Sequence, residues 1–283
     1  MKAQITLTVA EAKALIAEAV AGLPDVKMAL MEGRLLLKGG TTVSAVARHL
    51  LGEELRISGR VSPRGTKATS GRSERPHSIL VEKGQIKNID DSFGEAVKTL
   101  RSGDVVVIGA NAIDASGRAA MLLGSPLGGN VGQGLAGIMS QGCRVIIACG
   151  LEKLIPGSID EAIRAAGIHS SVWSMGMAAG LTPLTGEVVT EQKALEMIAG
   201  VNCTVIGAGG IAGAEGATTM VVEGTPDEVK MAVQAVLRLK GAPLAGCPVS
   251  LLECEAPGAP GCSVHQACAW RSGKGGDLKW PEE

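Results

Sequence analysis

The sequence predicts an α/β fold, a mainly parallel sheet with helices on both faces and a small β-α-β appendage. Three observations carry this. Runs at 35–38, 104–108 and 143–148 are apolar almost throughout rather than alternating, as in strands buried on both faces. Glycines follow the runs closely, at Gly39, Gly109 and Gly150. Helical patterns lie between the strands, the order that produces parallel pairing by crossover.

The elements follow in order. Residues 8–23 read as a helix opened by Thr8 with Glu11 three positions on, a capping box. A strand at 35–38 and a helix at 44–51 are joined by Gly39-Gly40-Thr41-Thr42. A short strand is expected at 55–60, then a basic polar loop over 62–76. Residues 78–81 and 85–89 flank Glu82-Lys83-Gly84 as a hairpin. A helix at 93–101 precedes the strand at 104–108. A glycine-rich loop over 117–134 leads into a helix at 134–141, and the strand at 143–148 follows. Helices are expected at 159–166, closed by Gly167, and at 191–199. Strands at 204–206 and 218–223, a helix at 226–239 and a strand at 248–253 make a compact β-α-β unit. The chain is thus expected to divide into an α/β ligand-binding domain over 1–200, a β-α-β extension over 201–255 and a loosely ordered Cys, Gly and Pro-rich tail over 256–283. Val107-Ile108-Gly109-Ala110 recurs as Val205-Ile206-Gly207-Ala208. Either two strand ends reach one crevice, or buried strands entering glycine turns simply look alike.

Composition narrows the function. The 283 residues carry a formal charge of -1, so no strong field favours nucleic acid or an anionic membrane. With no Tyr and a single Phe, the chain lacks the aromatic platforms on which single-stranded bases stack. The uncharged stretches at 119–143, 170–186 and 197–214 are broken by glycine, which argues against membrane spans. A mean hydropathy of +0.25 implies apolar surface shared between subunits, hence a homo-oligomer. Lys2 is followed by short apolar pieces broken by Glu11 and Lys13, unlike a secretory signal. Seven cysteines without regular spacing suit a reducing cytoplasm.

The richest stretch for chemistry is 39–42. Gly39 and Gly40 let the backbone turn and approach a ligand. Thr41 and Thr42 can cap the following helix and aim hydroxyls and amides at an anion. Arg64 and Lys67, with Arg60, Arg72 and Arg75 nearby, make the 63–67 loop a candidate clamp on a phosphate or carboxylate. Asp114 follows a buried strand, where open α/β sheets bind ligands. It suits a general base or a hydroxyl acceptor, and equally a cap on the turn before Gly117. Asn111 would hydrogen-bond in the same site. Gly128, Gly129 and Asn130 could present amides to a second anionic group or form a subunit contact. Gly207 and Gly209 with Ala212 fit a loose dinucleotide fingerprint, but the spacing to Glu223 is too short for a crossover helix, and no cofactor is expected. Cys254, Cys262, His265 and Cys268 could supply zinc ligands; without a Cys-x-x-Cys pair, no metal is expected. Cys143, Cys149 and Cys203 read as packing residues.

Two segments resemble the superfamily of ribose-5-phosphate isomerase, glucosamine-6-phosphate deaminase, CoA transferases and translation-factor-2B-like sugar-phosphate isomerases. They are Gly39-Gly40-Thr41-Thr42 at a strand-to-helix turn, and the strand from Asp104 running into Gly109-Ala110-Asn111-Ala112-Ile113-Asp114. The segment from Ala148 to Lys153-Leu154 is similar to a third piece of that family. The resemblance implies a crevice at the carboxyl ends of the strands, a small anionic metabolite such as a sugar phosphate, and isomerase-type proton transfer. It implies anion contacts from Gly39, Gly40, Thr41 and Thr42; on that reading Arg64 and Lys67 would clamp the anion, Asp114 would shuttle the proton, and Lys153 is a further candidate near the crevice. The chain departs from the family at Asn111, which stands where the isomerases carry an acid; an amide cannot act as that base. The departure keeps open a ligand sensor without catalysis. Acyl-CoA transfer through Glu215 is a third reading.

Overall fold

The computed structural model describes residues 1–68, 73–253, 265 and 267–270. Its centre is a six-stranded sheet in the order Glu187–Val189, Arg144–Ala148, Val105–Ile108, Arg34–Lys38, Ser78–Glu82, Gln85–Asn88. The first four strands are parallel, and the last two form an antiparallel hairpin on one side. The expected mainly parallel α/β architecture is therefore present.

Side-chain alternation along the strands divides the interior into two cores. Leu35, Leu37, Val105, Val107, Ile146 and Ala148 point to one face and pack under the helices Val9–Gly22, Thr41–Leu51, Glu191–Ala199 and Pro226–Arg238. Leu36, Val106, Ile108 and Ile147 point to the other, under Phe93–Lys98 and Gly129–Ser140. A strand apolar at every position is what this double cover requires. On the second face the two helices approach closely because Gly134 and Gly137 lie against Phe93 and Val97. A Cβ on Gly134 would fall 2.4 Å from the Phe93 ring.

A smaller antiparallel sheet flanks the first core. Ala217–Glu223 is its central strand, between Asn202–Gly209 and Lys2–Leu7. The beginning of the chain thus pairs with a strand more than two hundred residues later. Residues 248–253 were expected as a strand; Pro248–Leu251 is a 3-10 turn. The 55–60 strand is also displaced. Gly59–Ser62 pairs with Gly65–Ala68 instead, so part of the supposed basic loop is a hairpin. Ala119–Leu123, expected in a loop, is a strand between Ala112–Ile113 and Gly180–Leu184. Ile159–Ala165 closes at Ala166 in an extended conformation, one residue before Gly167. Val205-Ile206 and Val107-Ile108 lie in different sheets, the former exposed and the latter buried, so their likeness is one of pattern. No helix among the described residues is long and apolar enough to cross a membrane.

Candidate functional site

The parallel strands end at Lys38, Ile108, Ala148 and Val189, and a cavity of about 540 Å³ opens beyond the first three of these ends. Residues 39–42 and 109–111 meet there, joined by 152–155 and by Lys13 from the first helix. This is where open parallel sheets place ligands. Its volume suits a small metabolite. Gly39 is dictated by packing: a Cβ would lie 2.0 Å from the His77 carbonyl oxygen. The bare backbone there lets the strand turn beside His77 into the Thr41–Leu51 helix.

That helix differs from expectation at its start. Gly40 is the N-cap, and no side chain caps the helix. Thr41 and Thr42 are the first two helical residues, whose N–H groups have no intrahelical acceptor. The Thr42 hydroxyl is buried with no hydrogen-bond partner among the described residues, yet Thr42 lines the cavity. A buried hydroxyl left unpaired is costly. An anion against this turn would satisfy the hydroxyl and the helix dipole together.

Cations surround the turn. Lys13, Lys38, Arg60 and Lys153 line the cavity against a single carboxylate, Glu152. The Lys13 ammonium lies 3.1 Å from Glu152 Oε1 and the Lys153 ammonium 3.8 Å from it. Burial lowers the Lys13 pKa, with the Glu152 charge opposing. Apart from the Lys13 and Lys153 ammonium groups, neither Glu152 oxygen has a polar partner among the described residues. Gly150 makes room for this carboxylate, since a Cβ would lie 1.9 Å from Glu152 Oε2. Behind the segment, buried Glu191 accepts the Leu151 N–H at 2.9 Å and the Thr218 hydroxyl at 3.0 Å. Burial holds its pKa above the ordinary glutamate value.

Lys38 is half-buried at the end of its strand. Its Nζ contacts the Met121 sulfur at 3.4 Å, and no carboxylate of the described residues pairs with it. Burial, and then the Lys153 charge, bring its pKa from 10.5 down to about 8. His77 is pushed down to about 4, by burial first and Lys38 second, and so is neutral at physiological pH. A second cavity of about 240 Å³ adjoins the first and shares Lys38, Gly39, Gly59, Asn111 and Met121 with it.

The sequence-predicted residues divide between these places. Gly39, Gly40, Thr41, Thr42, Asn111 and Lys153 line the larger cavity; Gly128 and Gly129 line the smaller one. Asn130 belongs to the Gly129–Ser140 helix, and its side chain lies outside the described set. The Asn111 amide oxygen accepts the Leu122 N–H at 3.0 Å.

Asp114 lines neither cavity. Its Oδ1 accepts from the Ser116 hydroxyl and from the Ser116 and Arg118 N–H groups, and its Oδ2 from the Ile159 N–H. The Ser116 hydroxyl and the Ile159 amide lead in holding its pKa down to about 2. The carboxylate therefore serves the turn and the next helix, the capping alternative of the sequence reading.

The basic hairpin is also turned differently. Arg64 stacks on the Trp270 ring, 4.1 Å from its centroid, and Lys67 pairs with Glu253 at 3.2 Å. Arg60 is the hairpin cation at the cavity wall, and it also donates to the Ser250 and Leu252 carbonyls. Glu215 accepts the Gly213 N–H in a turn away from both cavities. Of the four residues weighed as zinc ligands, Cys254 and Cys262 lie outside the described residues, as does Arg72. Cys149 and Cys203 are buried, and Cys143 is half-buried.

Lys13, Lys38 and Glu152 were not foreseen. Lys13 carried a signal: it shares a helical stripe with Val9, Ile16, Ala17 and Val20, where an unpaired charge would be out of place.

Comparison with protein-family models gives no match, and comparison with curated proteins gives none. Among solved structures, the chain is similar to the crystal structure of eIF2B delta from Chaetomium thermophilum. The identity is 14%, the TM-score 0.34, and the alignment covers 65% of this chain. The chain spans 58% of that neighbour's length. Similarity at this level assigns no role to any residue.

Proposed function

We propose that the protein binds a small phosphorylated metabolite, a sugar phosphate in the first instance, and moves a proton on it. The carrying observation is the buried, unpartnered Thr42 hydroxyl at an open helix N-terminus beside Lys13, Lys38 and Lys153. The phosphate would sit against the amides of 41–42, with Lys153 as counter-charge. The resemblance of 39–42 and 104–114 to the sugar-phosphate isomerase superfamily favours a sugar as the rest of the ligand. With Asn111 an amide and Asp114 engaged elsewhere, Glu152 is the carboxylate able to take a proton. Association of copies of the chain, suggested by its apolar composition, belongs to the same proposal.

Thermal shift and calorimetric titration with inorganic phosphate, ribose 5-phosphate and ribose test the binding. Phosphate and the ester should both bind, and ribose should not. Failure of either phosphate compound to bind at about 10 mM, a free energy of only about 3 kcal/mol, would overturn the reading. A sensor without catalysis is the second reading, favoured by Asn111 in place of an acid. It predicts binding without deuterium uptake from heavy water into the ester, whereas proton transfer predicts uptake that Glu152→Gln abolishes.

A further inference from the structure

Lys38 stands where the two cavities join, with Asn111 and Met121 on the same walls. An ammonium has three protons to place. The described polar contact of this one is a thioether sulfur, a weak acceptor. The neighbouring charge that acts on it is another cation, Lys153. Lys13 in the same cavity does have a carboxylate partner, Glu152. With no carboxylate partner among the described residues, and with a pKa lowered to about 8, Lys38 holds far more free amine near neutral pH than an ordinary lysine, and desolvation beside a second cation is a recognised way to activate a lysine as a nucleophile. The smaller cavity provides polar surroundings beyond it. There the Ser78 hydroxyl is buried without a partner, next to Asn111 and the backbone of Gly128 and Gly129.

We propose that Lys38 forms an imine with an aldehyde or ketone carbon of a phosphorylated ligand whose phosphate lies at Thr41 and Thr42. The inference rests on the anion-site reading above. The Nζ lone pair adds to the carbonyl carbon, and the carbonyl π electrons pass to its oxygen, which takes up a proton. The resulting carbinolamine loses one proton from Nζ. Its hydroxyl is protonated and leaves as water, giving a protonated C=N bond. No oxidant or reductant is needed. The protonated imine acidifies the neighbouring C–H, and Glu152, held near Lys13 and Lys153, accepts that proton. Return of a proton and hydrolysis with one water restore the amine and release the carbonyl compound. The smaller cavity would receive the part of the ligand beyond the carbonyl.

The test uses the full chain with pyridoxal 5′-phosphate, a phosphorylated aldehyde, followed by borohydride reduction and peptide mapping. The reduced label should fall on Lys38, exceeding that on exposed lysines by about tenfold or more, since burial leaves far more of Lys38 as free amine than an ordinary lysine holds near neutral pH. Inorganic phosphate should protect it. Mapping on the unmodified chain stands whether or not Lys38→Met folds; where that variant folds, it should lose the label. Label spread over exposed lysines without phosphate protection, while phosphate still raises Tm, would overturn the imine and leave the anion site standing. Absence of any phosphate response would remove both.

Discussion

Thr42 sets stability against binding. Its hydroxyl is buried without a partner, so Thr42→Val should stabilise the free protein, by about 1 kcal/mol. The same change should weaken phosphate binding about tenfold to a hundredfold, by loss of one hydrogen bond to a charged group. Denaturant melts and phosphate titration of the one variant check both signs. Lys38 adds a pH dependence. Its folded pKa of about 8 lies below the ordinary 10.5, so between these values the unfolded chain binds more protons and stability rises with pH. The gap is worth at most about 3 kcal/mol, and solvent in the cavity reduces it to about 1–2 kcal/mol. Lys38→Met should flatten that slope in urea melts at pH 8 and pH 10 and stabilise the protein at pH 7. At this scale the sequence was partly legible. The Gly-Gly-Thr-Thr turn, Asn111 and Lys153 follow apolar strands and so declare their position. Glu152 and Lys38 sit beside these residues, but burial of a charge leaves no mark in local composition. Asp114 was ambiguous because an acid before Gly117 suits a turn as well as a site.

Helices were legible where their ends carry side-chain signals. Capping boxes at Thr8/Glu11, Ser158/Glu161 and Thr225/Glu228 fix three helix starts, with Pro226 inside the last. Buried strands showed through their unbroken apolar runs. Glu187–Val189 has only three residues, too few for either period to show. Gly59–Ser62 and Gly65–Ala68 are polar edge pieces held by pairing rather than by burial. The contact between Phe93–Lys98 and Gly129–Ser140 was hidden because the glycines that permit it read as loop formers. Gly134→Ala should drive a methyl into the Phe93 ring and cost about 1–3 kcal/mol, despite the better helix propensity of alanine. A chemical melt of that variant, with Gly94→Ala, where an added Cβ meets nothing within 4 Å, as control, decides the matter.

The whole molecule is closed by the pairing of Lys2–Leu7 with Ala217–Glu223. Ile5 and Leu7 from that first strand are buried in the same core as Met220 and Val222. Deleting residues 1–7 would leave a two-stranded ribbon, which is marginal alone, and uncover that core. The expected outcome is one melting transition at a lower Tm, seen equally by circular dichroism and calorimetry; an unchanged Tm would show that the strand is dispensable. The local periods that identified the single elements hold no record of a partner two hundred residues away, so this closure could not be read in advance. The same long reach builds the cavity. Its walls come from Lys13, from 38–42, from 109–111, from 152–155 and from Leu244 and Leu251. No fragment cut from the chain keeps every side of it. Whatever occupies the space works as a clasp across distant parts of the polypeptide. Binding of the proposed ligand at a hundred times its dissociation constant would raise the stability of the entire fold by about 2.7 kcal/mol, and resistance to proteolysis along the full length would then gauge its supply.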